Sequence, residues 1–137
     1  MDGGEPERLT NKSSNRAAFS PDGTSLACGY LDAAEWKIAI IPIGAKEPSR
    51  LIDVPQRTGF RGNAWTWAPD GRAFIYSDSQ NRVGNLWRLP LDGGKPTQIT
   101  NFTAESLPEL ALSQDSKHFA FTRGHSTLDV VLIKDAK

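Results

Sequence analysis

The sequence has one cysteine, Cys28, among 137 residues. A single thiol excludes an internal disulfide and any multi-cysteine zinc or iron–sulfur site. It also has no net charge, since sixteen Lys plus Arg stand against sixteen Asp plus Glu. Without a basic surplus there is no broad field to gather DNA, RNA or anionic lipid, so neither a nucleic-acid nor a membrane partner is expected. No apolar run approaches the roughly 20 residues of a membrane helix, no hydrophobic leader opens the chain as written, and a soluble protein is expected. There is no Gly-x-Ser-x-Gly elbow and no glycine-rich phosphate loop ahead of a helix. Neither a catalytic residue nor a cofactor is therefore expected within the chain.

What is plentiful is punctuation. Twelve glycines and nine prolines interrupt the chain often enough to disfavour long helices. Between them the sequence repeats itself. Phe19-Ser20-Pro21-Asp22-Gly23 recurs as Trp67-Ala68-Pro69-Asp70-Gly71 and, more weakly, as Leu112-Ser113-Gln114-Asp115-Ser116, with the aspartates 48 and then 45 residues apart. A second motif keeps the same register: Asp2-Gly3-Gly4-Glu5-Pro6 with Leu9-Thr10, and Asp92-Gly93-Gly94-Lys95-Pro96 with Ile99-Thr100. Gly44-Ala45-Lys46-Glu47-Pro48 with Leu51-Ile52 is a degraded copy between them. Two unlike motifs on one period mark a repeat architecture.

Each repeat carries short strand patterns. Leu26, Phe74 and Phe119 lie four residues after the aspartate, and Cys28, Tyr76 and Phe121 lie six after it, an alternation of period two. The residues between, Ala27, Ile75 and Ala120, are apolar too, which predicts a strand covered on both faces. A stretch before the aspartate and another after the middle strand supply two more strands, and the Leu-Thr segment a fourth. Four antiparallel strands in about 45 residues is the unit of a β-propeller blade.

Turn chemistry agrees with that unit. Pro presets the first φ, Asp accepts from the following backbone, and Gly takes a positive φ, so Asp22, Gly23, Asp70 and Gly71 are expected as structural turn residues. Asp115 keeps the role in the third repeat, where Gln114 and Ser116 replace Pro and Gly and predict a looser hairpin or another turn type.

These motifs resemble the TolB-like, WD40-like β-propeller repeat family. The segment from Trp65 to Thr100 carries the pattern nearly throughout, through Trp67-Ala68-Pro69-Asp70-Gly71, Phe74-Ile75-Tyr76-Ser77, Asn85-Leu86-Trp87, Leu91-Asp92-Gly93-Gly94 and Gln98-Ile99-Thr100. The resemblance implies an all-β propeller of four-stranded antiparallel blades, and its last third resembles the carboxyl end of kinase- and regulator-associated members. For function it implies a non-enzymatic bacterial scaffold for protein–protein interaction or ligand sensing. It leaves open an auxiliary propeller of a larger enzyme, either a kinase-associated sensor or an oligopeptidase-like hydrolase. A third reading is a propeller fragment that self-assembles without a physiological ligand. Only the resemblance favours an extracytoplasmic, periplasmic setting.

Strand counting then divides the chain. Residues 5–10 read as a spare outer strand, 15–53 as blade 1, 63–100 as blade 2, and 108–134 as blade 3 without its own outer strand. Propellers have roughly four to eight blades, and three alone would leave apolar faces and a strand edge bare. Either the chain is the carboxyl-terminal piece of a longer six-bladed ring, or two copies close such a ring as a homodimer by exchanging residues 5–10 and packing blade faces.

The remaining polar and aromatic residues read mostly as structure. Cys28 shares its position with Tyr76 and Phe121 and is expected in the core. His118 and His125 lack metal-ligand partners at suitable spacing. Trp36, Trp65, Trp67 and Trp87 fall in strand register and predict packing between blades rather than ligand stacking. Loops are where propellers bind, and the longest, Asp53 to Asn63, offers Gln56, Arg57, Phe60, Arg61 and Asn63 as a contact patch for an acidic peptide or protein partner. Arg16 and Glu109 begin equivalent inner strands and are expected to reach toward a central channel.

Overall fold

A computed structural model describes residues 4–55, 65–113, 115 and 117–125. Its elements are all strands: β1 Ser14–Phe19, β2 Ser25–Asp32, β3 Glu35–Pro42, β4 Arg50–Asp53, β5 Trp65–Trp67, β6 Ala73–Gln80, β7 Val83–Pro90, β8 Thr97–Gln98, β9 Leu110–Leu112 and β10 Phe119–Phe121. Strands β1 to β4 form one antiparallel four-stranded sheet in chain order, and β5 to β8 form a second. Strands β9 and β10 pair as the start of a third. These are blades 1, 2 and 3. The expected third strand of blade 3, within 130–133, lies outside the described residues. Residues 5–10, expected as a spare outer strand, are described without a ladder partner among the described residues.

The apolar positions follow the repeat. On blade 1, Ala27, Ile38, Ile40 and Ile52 share the face that meets blade 2, which answers with Trp65, Trp67, Phe74, Tyr76 and Leu89. On its other face, blade 2 packs Ala73, Ile75 and Leu86 against Leu107 and Leu110 at the entrance to blade 3. Blade 2 thus turns Phe74 and Tyr76, four and six after its aspartate, toward blade 1, and Ile75, five after it, toward the entrance to blade 3. Trp67 and Trp65 each sit with Phe74, the latter edge-on at 5.3 Å between ring centroids, an arrangement that suits the ring quadrupoles.

Polar bonds fasten the junctions. The Trp67 indole N–H donates to the Ala18 carbonyl at 3.0 Å, tying inner strand to inner strand, and the Arg50 guanidinium donates to the Leu91 carbonyl. Between blades 2 and 3, Asn85 works as a clamp: its Oδ1 accepts from the Phe102 N–H at 2.7 Å and the Thr100 hydroxyl at 3.0 Å, while its amide donates to the Phe102 carbonyl. Gly84 lies under this crossover, donating its N–H to the Glu105 carbonyl at 2.8 Å. A Cβ there would stand 2.4 Å from the Leu107 nitrogen, so only glycine fits.

Turns between strands show where sequence and geometry agree or part. Gly23 and Gly71 take φ of 71° and 65°, as the Pro-Asp-Gly reading expects. The two-residue loop Ala33-Ala34, with φ of 45° and 70°, closes the β2–β3 hairpin without glycine, and Asn81-Arg82 does the same for β6–β7. In the third turn residues 114 and 116 lie outside the described residues, and the flanking bonds are kept. Ser113 donates its N–H to the His118 carbonyl at 2.8 Å, as Ser20 does to that of Ser25. The serine hydroxyl bonds the aspartate in both turns, Ser20 to Asp22 at 2.6 Å and Ser113 to Asp115 at 2.5 Å.

Candidate functional site

The turn aspartates are structural. Asp22 Oδ1 accepts from the Ser20 hydroxyl at 2.6 Å and from the Thr24 N–H and hydroxyl, and these bonds, that from Ser20 foremost, hold its carboxyl below the usual range. Asp70 is held low mainly by the Arg72 N–H and also by Arg88, 2.8 Å from its Oδ2. Asp115 is held low first by the Ser113 hydroxyl and then by the Lys117 N–H. Carboxylates stabilised in the charged form and occupied by turn hydrogen bonds are poor proton donors at neutral pH. Their positions repeat because the turn repeats.

Cys28 is buried beside Tyr30, Ala39 and Ile41, and burial pushes its thiol up, with Ser14 acting the other way. It is an unreactive core thiol rather than a nucleophile. His118 lies 3.8 Å from Asp115 and His125 lies 4.0 Å from Glu105. Among the described residues no group of three or more His, Cys, Asp or Glu is placed to hold a metal. Trp65 and Trp67 are buried and Trp87 packs partly against them, so these three rings are interblade packing, whereas Trp36, half-buried in β3, belongs to none of the packed clusters among the described residues. Gln56, Arg57, Phe60, Arg61 and Asn63 lie outside the described residues.

Two features remain open to a partner. The first is the face of blade 1 directed away from blade 2. Its centre, from Cys28 to Ile41, is buried, yet Phe19 is 67% exposed, and Ile43 and Leu51 on the same face are exposed as well. Trp67, the counterpart of Phe19 in blade 2, is only 5% exposed because blade 1 covers it. The exposed rim therefore carries residue types that the chain buries wherever a preceding blade is present.

The second is a cavity of about 410 Å³ between inner strands, lined by Arg16, Glu109, Leu110, Ala111, Ala120, Phe121 and Thr122. It brings together the Arg16 and Glu109 pair that sequence equivalence pointed toward a channel. What the sequence does not mark is how Arg16 arrives there. Ladder register jumps between Asn15 and Ala17, leaving Arg16 as the extra residue of a β-bulge with φ of 37°. A bulge re-aims a side chain, and here the Arg16 Nε–H reaches the Trp65 carbonyl at 3.1 Å. Desolvation lowers the guanidinium pKa while Glu109 opposes that shift.

The blade geometry has close counterparts among solved structures. TolB from Acinetobacter baumannii superposes with a TM-score of 0.60 at 19% identity, covering 82% of this chain and 27% of that one. The fold is TolB-like. A putative TolB from Agrobacterium tumefaciens gives a TM-score of 0.65 at 23% identity over 89% of this chain and 43% of its own. The chain therefore spans about a quarter to two fifths of the length of these TolB structures, and at such identities the likeness is one of fold. No family model and no curated protein sequence matches the chain.

Proposed function

We propose that the chain is a non-enzymatic TolB-like propeller scaffold for protein–protein interaction, working in a bacterial, extracytoplasmic setting, and that in isolation it pairs with a second copy. The observation that carries this reading is the contrast between exposed Phe19 and buried Trp67 at equivalent positions. An apolar rim beside an already apolar face is the signature of an interaction surface. Blade 3 supports the same reading from the other end, because Ala111 and Ala120 lie bare on the face that would meet a following blade. Residues 5–10, without a ladder partner among the described residues, would complete the final blade of the partner copy.

Light scattering tests the pairing. The expected mass is twice the 15.0 kDa of the chain, falling to one chain in Phe19→Glu. A compact wild-type monomer overturns pairing and favours the second reading, supported by the short span relative to TolB structures, in which the same face seats a blade of a longer ring. Partner contact is proposed, from the sequence, for Gln56, Arg57, Phe60, Arg61 and Asn63. Salt-sensitive binding of a polyglutamate probe, lost in Arg57→Ala with Arg61→Ala, is the expected result; unchanged binding in that variant dismisses the patch.

A further inference from the structure

We propose that the cavity between the inner strands of blades 1 and 3 binds a small zwitterion of the amino-acid type, its carboxylate on Arg16 and its ammonium on Glu109. The geometry begins with the bulge. A non-glycine residue at positive φ costs free energy and persists where its surroundings hold it. At this position the inserted residue is an arginine, and its Nε–H bond to the Trp65 carbonyl fixes the plane of the guanidinium. Both terminal nitrogens are then left without a hydrogen-bond partner among the described residues. A fixed guanidinium with two free donors matches the two oxygens of a carboxylate.

Glu109 lines the same cavity and is near enough to act on the Arg16 charge, yet the two form no ion pair. Each keeps its charge available to something placed between them. The wall around them is apolar, made by Leu110, Ala111, Ala120 and Phe121, with Thr122 at the side. A volume of about 410 Å³ falls within the range of small-ligand sites. A simple anion would satisfy Arg16 but face repulsion from Glu109, and a simple cation would meet the reverse. A molecule carrying both charges on neighbouring carbons, with an apolar side chain, satisfies the cation, the anion and the wall together.

Calorimetric titration of the full chain with L-leucine, N-acetyl-L-leucine and leucinamide tests this, the last two each lacking one charge. Leucine is expected to bind, with each analogue about tenfold weaker or worse, the usual scale for losing a charged hydrogen bond. Arg16→Gln should weaken leucine by about as much and erase its advantage over leucinamide. Glu109→Gln, at an exposed strand start outside the packed core, should erase the advantage over N-acetyl-leucine and keeps the test open if Arg16→Gln unfolds. Light scattering on the same samples reads assembly separately, so a loss of pairing is not mistaken for a loss of the site. Absence of leucine binding, equal binding of the three compounds, or leucine affinity unchanged in Glu109→Gln would overturn the proposal.

Discussion

Three residues before the turn aspartate, blade 2 buries Trp67 under blade 1, whereas blade 1 leaves Phe19 in solvent. The outer strands show the same contrast at the following junction. Ile52 of blade 1 is 8% exposed against blade 2, while its counterpart Ile99, on the side of blade 3, is 51% exposed. Two blades with closely similar patterns thus differ in burial because of their neighbours, not because of their own sequences. A strand's apolar alternation states that a face needs cover; only the assembled sheets decide which residues receive it.

The sharpest way to break this comparison is to truncate the equivalent residues. Trp67→Ala should cost about 3–5 kcal/mol, the scale for emptying a large aromatic site in a packed core, and it also removes the indole bond to Ala18. Phe19→Ala should stay within about 0.5 kcal/mol in chains held as monomers by dilution, as surface changes do. Urea denaturation of both variants reads the difference, and comparable losses would mean that Phe19 is covered within the chain.

A smaller effect separates the hairpins. Ala34 sits at φ 70°, where an L-residue with a Cβ is strained, and Ala34→Gly should gain roughly 0.5–1 kcal/mol after the entropy cost of glycine. In blade 2, Asn81→Gly should give no comparable gain, because asparagine tolerates that conformation. Thermal melts of the two variants check the pair.

Acid titration should show the smallest effect. The carboxyl groups of Asp22 and Asp70 are held below their ordinary value in the folded chain. Their stabilisation is therefore present above the unfolded pKa of about 3.9 and is lost as pH falls through the lowered folded values. Asp22→Asn and Asp70→Asn keep an acceptor oxygen and should each flatten the acid limb of stability against pH. An acid limb identical to wild type in both would remove the turn aspartates from that account.

Much of this is legible in the amino-acid sequence. The aspartate spacing located the turns, period two located β2 and β6, and repeat equivalence paired Arg16 with Glu109. Those features are local, or are copies of local features, and a pattern can carry them. The Arg16 bulge escaped because no glycine or proline announces it, and the Ala33-Ala34 loop escaped for the same reason. The Asn85 clamp and the need for glycine at Gly84 depend on a crossover that folds back over β7, a contact without a periodic trace.

The two faces of blade 2 are unlike: one sets the rings of Trp65, Trp67, Phe74 and Tyr76 against the aliphatic side chains of blade 1, and the other sets Ala73, Ile75 and Leu86 against Leu107 and Leu110. Such a unit has a head and a tail. In the proposed pairing a second chain would then meet the first head to tail. Head-to-tail contact of that kind would have two endpoints: a curvature that brings the last tail back to the first head, or an open filament that never meets itself.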